Sequence, residues 1–140
     1  MTRSEAEALY RRMLLELWHA DDTELDQLAA QIVGDDFRLH QNGEQREGPQ
    51  ALVDLVRQGR APFEDVAVTI DVGPAVDGDL VAARWTFAGA YAGGIPGATA
   101  EPGTRVAFAG IDLVRLAHER VAEYWVCSDG FALMTQLGVT

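Results

Sequence analysis

Asp129 closes the run Val121-Ala-Glu-Tyr-Trp-Val-Cys-Ser-Asp129, whose apolar, aromatic and β-branched residues read as a strand ended by Gly130. Side chains alternate across a strand, so Val121, Glu123, Trp125, Cys127 and Asp129 share one face, with a carboxylate at the end of a row that holds an indole. The apolar segment from Phe131 to Leu137 follows at once and can fold over that strand end, bringing Phe131 and Met134 against it. A carboxyl group kept dry between Trp125, Phe131 and Met134 would hold its proton at neutral pH and could act as a general acid. The same position, directly before Gly-Phe-Ala-Leu, also suits the N-cap of a terminal helix, and both roles could hold.

His40 and Asp112 are the further candidates for acid–base chemistry. His40 shares a face with Arg38 and Asn42, whereas Phe37 and Leu39 take the other. Facing a cavity, His40 could relay a proton or polarise a carbonyl; facing out, it is a surface histidine. Asp112 alternates with Ile111 and Leu113. It either lines the pocket, where a second carboxylate would split the pair into one acid and one base, or forms an ion pair with Arg84 or Arg115. Trp18, Leu55, Trp85, Tyr91 and Trp125 are candidate walls, with Arg84 a candidate substrate contact. Their rings could stack on a flat ligand or simply fill a core.

Other chemistries find no support. The loop around Gly93-Gly-Ile-Pro-Gly97 lacks the Lys and Ser/Thr of a phosphate loop, and no G-x-G-x-x-G is present. His19, His40 and His118 stand far apart and in no metal-binding spacing, so neither metal nor cofactor is expected. Ser128 adjoins Asp129 without a G-x-S-x-G elbow. A formal charge of −11 leaves no basic stripe for nucleic acid and disfavours anionic membranes. The single Cys127 rules out an intrachain disulfide, and the acidic N-terminus lacks the apolar run of a signal peptide; a cytoplasmic location is expected.

The elements that must position these residues can be read in order. Ser4-x-x-Glu7 is a capping-box pattern opening a helix to about Ala20, with Leu9/Tyr10, Met13/Leu14 and Leu17/Trp18 at helical spacing. Asp22 or Thr23 caps a second helix (Leu25, Leu28, Ala29, Ile32, Val33) that Gly34 stops. A short strand runs from Asp36 to the turn Asn42-Gly43, and Gly48-Pro49 opens a third helix with the stripe Leu52, Leu55, Val56, followed by Gly59. Four long strands follow: Phe63–Val72 with Val66, Val68, Ile70 and Val72 on one side, Leu80–Tyr91 after an Asp77-Gly78 turn, Thr104–Leu116, and Val121–Ser128. The Gly/Pro-rich loop from Ala92 to Gly103 is of a length that often borders a functional site. With 140 residues and no composition break, residues 1–140 are expected to form one domain. It should be α+β: a curved antiparallel sheet covered by three N-terminal helices, enclosing a conical cavity.

Glu123-Tyr-Trp125-Val-Cys-Ser-Asp129 with Gln136-Leu-Gly138 resembles the C-terminal signature of the SnoaL-like polyketide cyclases. Asp36-Phe-Arg-Leu-His40, Ala83-Arg-Trp-Thr-Phe-Ala-Gly89 and Ala109-Gly-Ile-Asp112-Leu-Val-Arg115 agree, so that the likeness runs from about Tyr10 to Val139. That family belongs to the nuclear transport factor 2-like, or ketosteroid-isomerase-like, superfamily. The resemblance implies a cone-shaped α+β barrel, Asp129 as general acid/base, a small hydrophobic polyketide-derived substrate, and a homodimer or tetramer. Gly89-Ala-Tyr91 stands where many relatives carry Gly-Thr-His, leaving Tyr91 to supply a hydroxyl. The expected function is thus a cofactor-independent cyclase closing a ring by acid–base catalysis in natural-product biosynthesis. Its rivals are an epoxide hydrolase or isomerase, which needs two acids converging, and a binding module, expected if no ionisable side chain reaches the cavity floor.

Overall fold

In the computed structural model, which describes residues 1–139, helix α1 (Arg3–Arg11) is capped by Thr2. Thr2 Oγ1 accepts from the Glu5 N–H and the Glu5 carboxylate accepts from the Thr2 N–H, so the reciprocal cap sits two residues before the Ser4/Glu7 pair. The helix runs on through a π-helical turn, Arg12–Glu16, into Leu17–His19, and its inner stripe of Ala6, Tyr10, Met13, Leu14 and Leu17 is buried. Helix α2 (Leu25–Ile32) buries Leu25, Ala29 and Ile32; the chain leaves it directly into a strand at Val33, so that Gly34 lies within the strand. Helix α3 (Pro49–Arg60) starts with Pro at its first position and buries Leu52, Leu55 and Val56, continuing through Gly59.

The apolar faces of these helices pack on one side of a six-stranded sheet. Its strands are β1 (Val33–Gln41), β2 (Glu44–Glu47), β3 (Phe63–Asp77), β4 (Leu80–Tyr91), β5 (Arg105–Ala117) and β6 (Arg120–Ser128), in the order β2-β1-β6-β5-β4-β3. Strands β3 to β6 form the antiparallel meander foreseen from the turn residues. The expectation of a wholly antiparallel sheet is corrected at one seam: β1 runs parallel to β6, pairing His40 with Trp125 and Leu39 with Tyr124. Short β2, all exposed, pairs with β1 at the sheet edge.

Register shifts in two strands decide which residues face the helices. In β3 the irregularities on either side of Val72 turn that side chain outward, 63% exposed, whereas Val68 stays buried under the helices. In β6, Val121 pairs with Leu116 but Glu123 pairs with Arg115, leaving Ala122 as an extra residue. One inserted residue reverses the alternation, so Val121 faces the core together with Tyr124 and Val126 rather than with Glu123 and Trp125. After β6, helix α4 (Gly130–Gln136) lies against β5, where the Gln136 carboxamide donates to Ala107 O at 2.8 Å and accepts from Ala107 N–H at 2.9 Å. Together α4 and the loop after β4 enclose a small second apolar cluster of Tyr91, Val106, Leu133 and Leu137. Among the described residues no helix is long and apolar enough to cross a membrane.

Gly110 on β5 marks a close approach. A Cβ there would stand 2.1 Å from Cζ2 of Trp85 on β4, so the indole lies where any other residue's side chain would start. Trp85 is buried and hemmed by Phe108, leaving it little room to yield. Gly110→Ala is therefore expected to cost about 1–3 kcal/mol by overpacking and to shift the tryptophan emission. Urea denaturation measures the first; unchanged stability would mean that the indole moves freely.

Candidate functional site

Between the helices and the inner sheet face lies a cavity of about 290 Å³. Trp18 and Leu14 from the first helical run, Leu55 from α3, Val68, Trp85 and Phe87 from β3 and β4, and Phe108, Tyr124 and Val126 from β5 and β6 wall it; Gln41, Asn42, Gln58 and Ser128 supply its polar groups. The rings form a connected arc. Trp18 meets Phe87 edge-on at 6.0 Å, Phe87 stacks on Phe108 at 5.0 Å, and Phe108 meets Trp85 edge-on at 6.0 Å. Gly59 serves Trp18 as Gly110 serves Trp85: a Cβ on it would stand 2.5 Å from Cη2 of that indole.

Behind the wall formed by Tyr124 and Trp85 sits Asp112, with no solvent exposure. The Tyr10 hydroxyl donates to its Oδ2 and the Tyr124 hydroxyl to its Oδ1, each at 2.7 Å. Burial pushes the carboxyl above its usual 3.8, and the Tyr10 and Tyr124 hydrogen bonds, helped by the nearby Trp85 N–H, oppose the rise. Burial, and then the Asp112 charge, raise both phenols well above 10. The Trp85 indole N–H is near enough to favour the ionised carboxylate without closing a full hydrogen bond, and it is the one buried side-chain polar atom without a partner among the described residues.

The structure brings Trp18, Leu55 and Trp85 together around the cavity and sets Asp112 behind it. The picture of a dry Asp129 is corrected. Its side chain is exposed and accepts from the Ala132 N–H at 3.0 Å, capping α4. The extra residue at Ala122 is the physical reason: it sends Tyr124, Val126 and Ser128 inward and Trp125 outward. Phe131, 85% exposed, does not cover the strand end. Met134 packs in the second cluster with Tyr91, whose hydroxyl accepts from the Ile95 N–H at 3.0 Å and so pins the Gly/Pro loop rather than facing the cavity.

His40 also lies outside, because buried Phe37 and Leu39 take the core face of β1 and leave Arg38 and His40 on the opposite one. There its ring stacks on Trp125 at 5.1 Å and its Nε2 meets Glu123 Oε2 at 2.6 Å. Arg84 points outward too and pairs with Asp71 at 2.6 Å, so the Arg84–Asp112 ion pair does not form; Arg115 instead meets Asp79 at 3.0 Å. Sequence reasoning missed Tyr10 and Tyr124 as partners of Asp112. The available signal was a tyrosine in the apolar stripe of the first helix, since a buried phenol must find an acceptor. Among the described residues no three His, Cys, Asp or Glu side chains converge as a metal-ligand set.

The family model described as SnoaL-like polyketide cyclase matches residues 8–137. This chain belongs to the SnoaL-like polyketide cyclase family. Solved structures agree in fold. TsrD from Streptomyces laurentii is 25% identical, with 100% of this chain and 99% of that one covered and a TM-score of 0.79. A candidate SnoaL-like polyketide cyclase from Jannaschia sp. CCS1 is 24% identical over 98% of this chain and 94% of its own, at 0.81. AclR, a candidate hydroxylase from Streptomyces galilaeus, is 20% identical over 98% of each chain, at 0.76. Among curated proteins none matches significantly. The SnoaL-like chain thus has the cone-shaped α+β architecture of its relatives, with six strands in a curved, mixed sheet.

The Asp112 network makes stability depend on pH in a defined direction. The folded state holds this proton more tightly than the unfolded chain, so the contribution is whole below about pH 4 and is lost as pH rises through the folded pKa. The stability of the unaltered protein relative to Asp112→Asn should therefore fall as pH rises above about 4 and through the folded pKa. The raised phenols act alike one step higher: above about pH 10 the fold should weaken, with phenolate absorbance from Tyr10 and Tyr124 emerging only as it unfolds. Denaturation curves across pH measure both, and a pH-independent difference for Asp112→Asn would remove the raised carboxyl.

Proposed function

We propose that this SnoaL-like chain is a cofactor-independent cyclase that folds a polyketide-derived intermediate in the aromatic cavity and closes a ring by proton transfer. The observation that carries this reading is Asp112: a carboxyl group out of water, bridging two tyrosine hydroxyls at 2.7 Å each, behind a wall that Tyr124 shares with the cavity. Intramolecular aldol closure removes a proton from an acidic methylene and delivers one to a carbonyl oxygen as the carbon–carbon bond forms. A hydrogen-bonded acid chain can accept the first and return the second, ending in its starting state. Tyr124 is the member at the wall, with Asp112 and Tyr10 behind it as proton reservoir. Confinement among Trp18, Phe87, Phe108 and Trp85 would hold the chain folded near its reacting geometry.

This assignment moves the acid–base role from Asp129 to Asp112. Epoxide opening loses its support, because no carboxylate lines the cavity and Asp112 stands alone behind its wall. The binding-module reading keeps one specific observation in its favour: both Asp112 oxygens are already engaged, and no charged side chain lines the cavity. Turnover of a poly-β-ketone, assayed with and without chelator, decides between them. Asp112→Asn and Tyr124→Phe should each lower kcat by about 10²–10⁴-fold, while Asp129→Asn, which keeps the cap, should leave it within about twofold. Full activity in Asp112→Asn, or loss of it in Asp129→Asn, would sink the assignment; tight ligand binding without turnover in the unaltered protein would establish the binding module.

The expected homo-oligomer would form through the outer sheet face, where Ile111 is 58% and Leu113 37% exposed beside Cys127 and Trp125. Sedimentation should then show a dimer or tetramer that Ile111→Glu disperses, whereas a monomeric unaltered protein rejects this interface.

A further inference from the structure

Phe108, Gly110 and Asp112 follow one another along the inner face of β5, roughly 7 Å apart. Gly110 leaves its place in that row open, and the indole of Trp85, its register partner on β4, fills it. A Cβ on Gly110 would lie 2.1, 2.5 and 2.6 Å from Cζ2, Cη2 and Cε2 of that ring, and Cε2 carries the indole nitrogen. The ring thus crosses β5 in the notch between Phe108, which meets it edge-on at 6.0 Å, and Asp112. Phe108 has no oxygen to offer. The Nε1–H has no surface open to the cavity and lies toward the carboxyl, unpaired. A buried donor without an acceptor is costly, so the resting chain carries an N–H that it does not yet use.

We propose that Trp85 is a positioning residue for Asp112: as the carboxyl gives up its proton, the indole N–H closes on it as a third donor and holds the charge. Asp112 has room for one, since each carboxylate oxygen accepts two bonds and Tyr10 and Tyr124 take one each. It also has need of one. Around it the first helix brings Tyr10, β6 brings Tyr124 and β4 brings Trp85, and none of them turns a charge toward it. Arg84 of β4 and Arg115 of β5 pair with Asp71 and Asp79, Glu123 of β6 faces outward with Arg38 and His40, and α4, which meets β5 at Ala107, contains no charged residue. A donor that tightens only on the ionised form favours that form and opposes burial. In the cyclase reading, on which the catalytic consequence rests, Asp112 must be ionised to accept the methylene proton, and Trp85 widens the pH range over which it is.

The test follows two resonances of the unaltered protein across pH: the Asp112 carboxyl carbon and the Trp85 indole N–H. The indole proton should move downfield with the same midpoint as the carboxyl, and Asp112→Asn should abolish that movement. Trp85→benzothienylalanine keeps the size of the ring but puts sulfur in place of the N–H. It should raise the Asp112 midpoint by about half to one pH unit, less than the roughly one to two that a full bond to a charged group would give. The acid limb of kcat against pH should rise by the same amount, with KM within about twofold. A ring that only packs would leave the midpoint of this isostere where it was. Should the isostere fold poorly, the indole titration in the unaltered protein decides alone. An indole resonance that ignores the Asp112 titration, or an isostere midpoint that stays or falls, overturns the inference. Coupled titration and a raised midpoint without cyclisation of any poly-β-ketone would remove the cyclase reading alone; cyclisation that needs Asp112 while the indole stays indifferent to it would remove this inference alone.

Discussion

A carboxyl group with no access to water must be met by donors or lose its charge, and Asp112 is met by two tyrosines that come from opposite ends of the chain. Tyr10 lies 102 residues before it, on the first helix, and Tyr124 lies twelve after it, on the neighbouring strand. The three side chains therefore tie the helical cover to the sheet at one point. Removing either phenol would leave an oxygen of a buried carboxyl unpaired, costing more than a typical surface hydrogen bond contributes. Such an arrangement is weak evidence of stability in itself, since an apolar trio of equal volume could pack as well. Its value lies in specificity: it sets the height of the helix over the sheet, and with it the depth of the hollow that Trp85 and Tyr124 wall.

The hollow persists because its walls are stiff. Four rings in edge-on and stacked contact cannot relax inward independently, and two of them occupy the places that Cβ atoms at Gly59 and Gly110 would need. The wall is pinned by backbone bonds as well. His19, next to Trp18, accepts the Val68 N–H through Nε2 and turns its Nδ1 to the Leu15 carbonyl, which requires the neutral ring with its proton on Nδ1. Space is thus left by small residues and kept by large ones.

Much of this was legible from periodicity. The helical stripes, the Pro49 start, the long meander and the Gly/Pro loop all follow from local spacing and turn chemistry. What local spacing cannot see is a register slip. Alternation predicts a face from any known member, and a single extra residue at Ala122 transfers Trp125, Cys127 and Asp129 from the inner face to the outside. The same limit hid the parallel pairing of β1 with β6, which depends on contacts more than eighty residues apart. Asp112 stands out in the sequence, but it points there to arginine partners because charge complementarity is visible in sequence, whereas the hydroxyl of a tyrosine in an apolar stripe reads first as bulk. The exposed Asp129 shows the converse: its position before a short helix fits a cap, and that local reading is the one geometry realises.

The outward-facing polar cluster explains how the misread residues still matter. Glu123, only 8% exposed, receives Arg38 at 3.0 Å and His40 at 2.6 Å from β1, with Arg115 of β5 at 3.9 Å; Arg115 also lies over the Trp125 ring that stacks on His40. These contacts span three adjacent strands on the face opposite the cavity, at the parallel seam where β1 meets β6 and no hairpin fixes the register. Slipping that seam by one residue would turn Phe37 and Leu39 out and bring Arg38 and His40 beneath the helices. Slipping β6 with it would withdraw Tyr124 from Asp112. The charges on one face thus favour the register that places the hydroxyl on the other, so His40, on the face opposite the cavity, supports the seam on which the Tyr124–Asp112 contact depends.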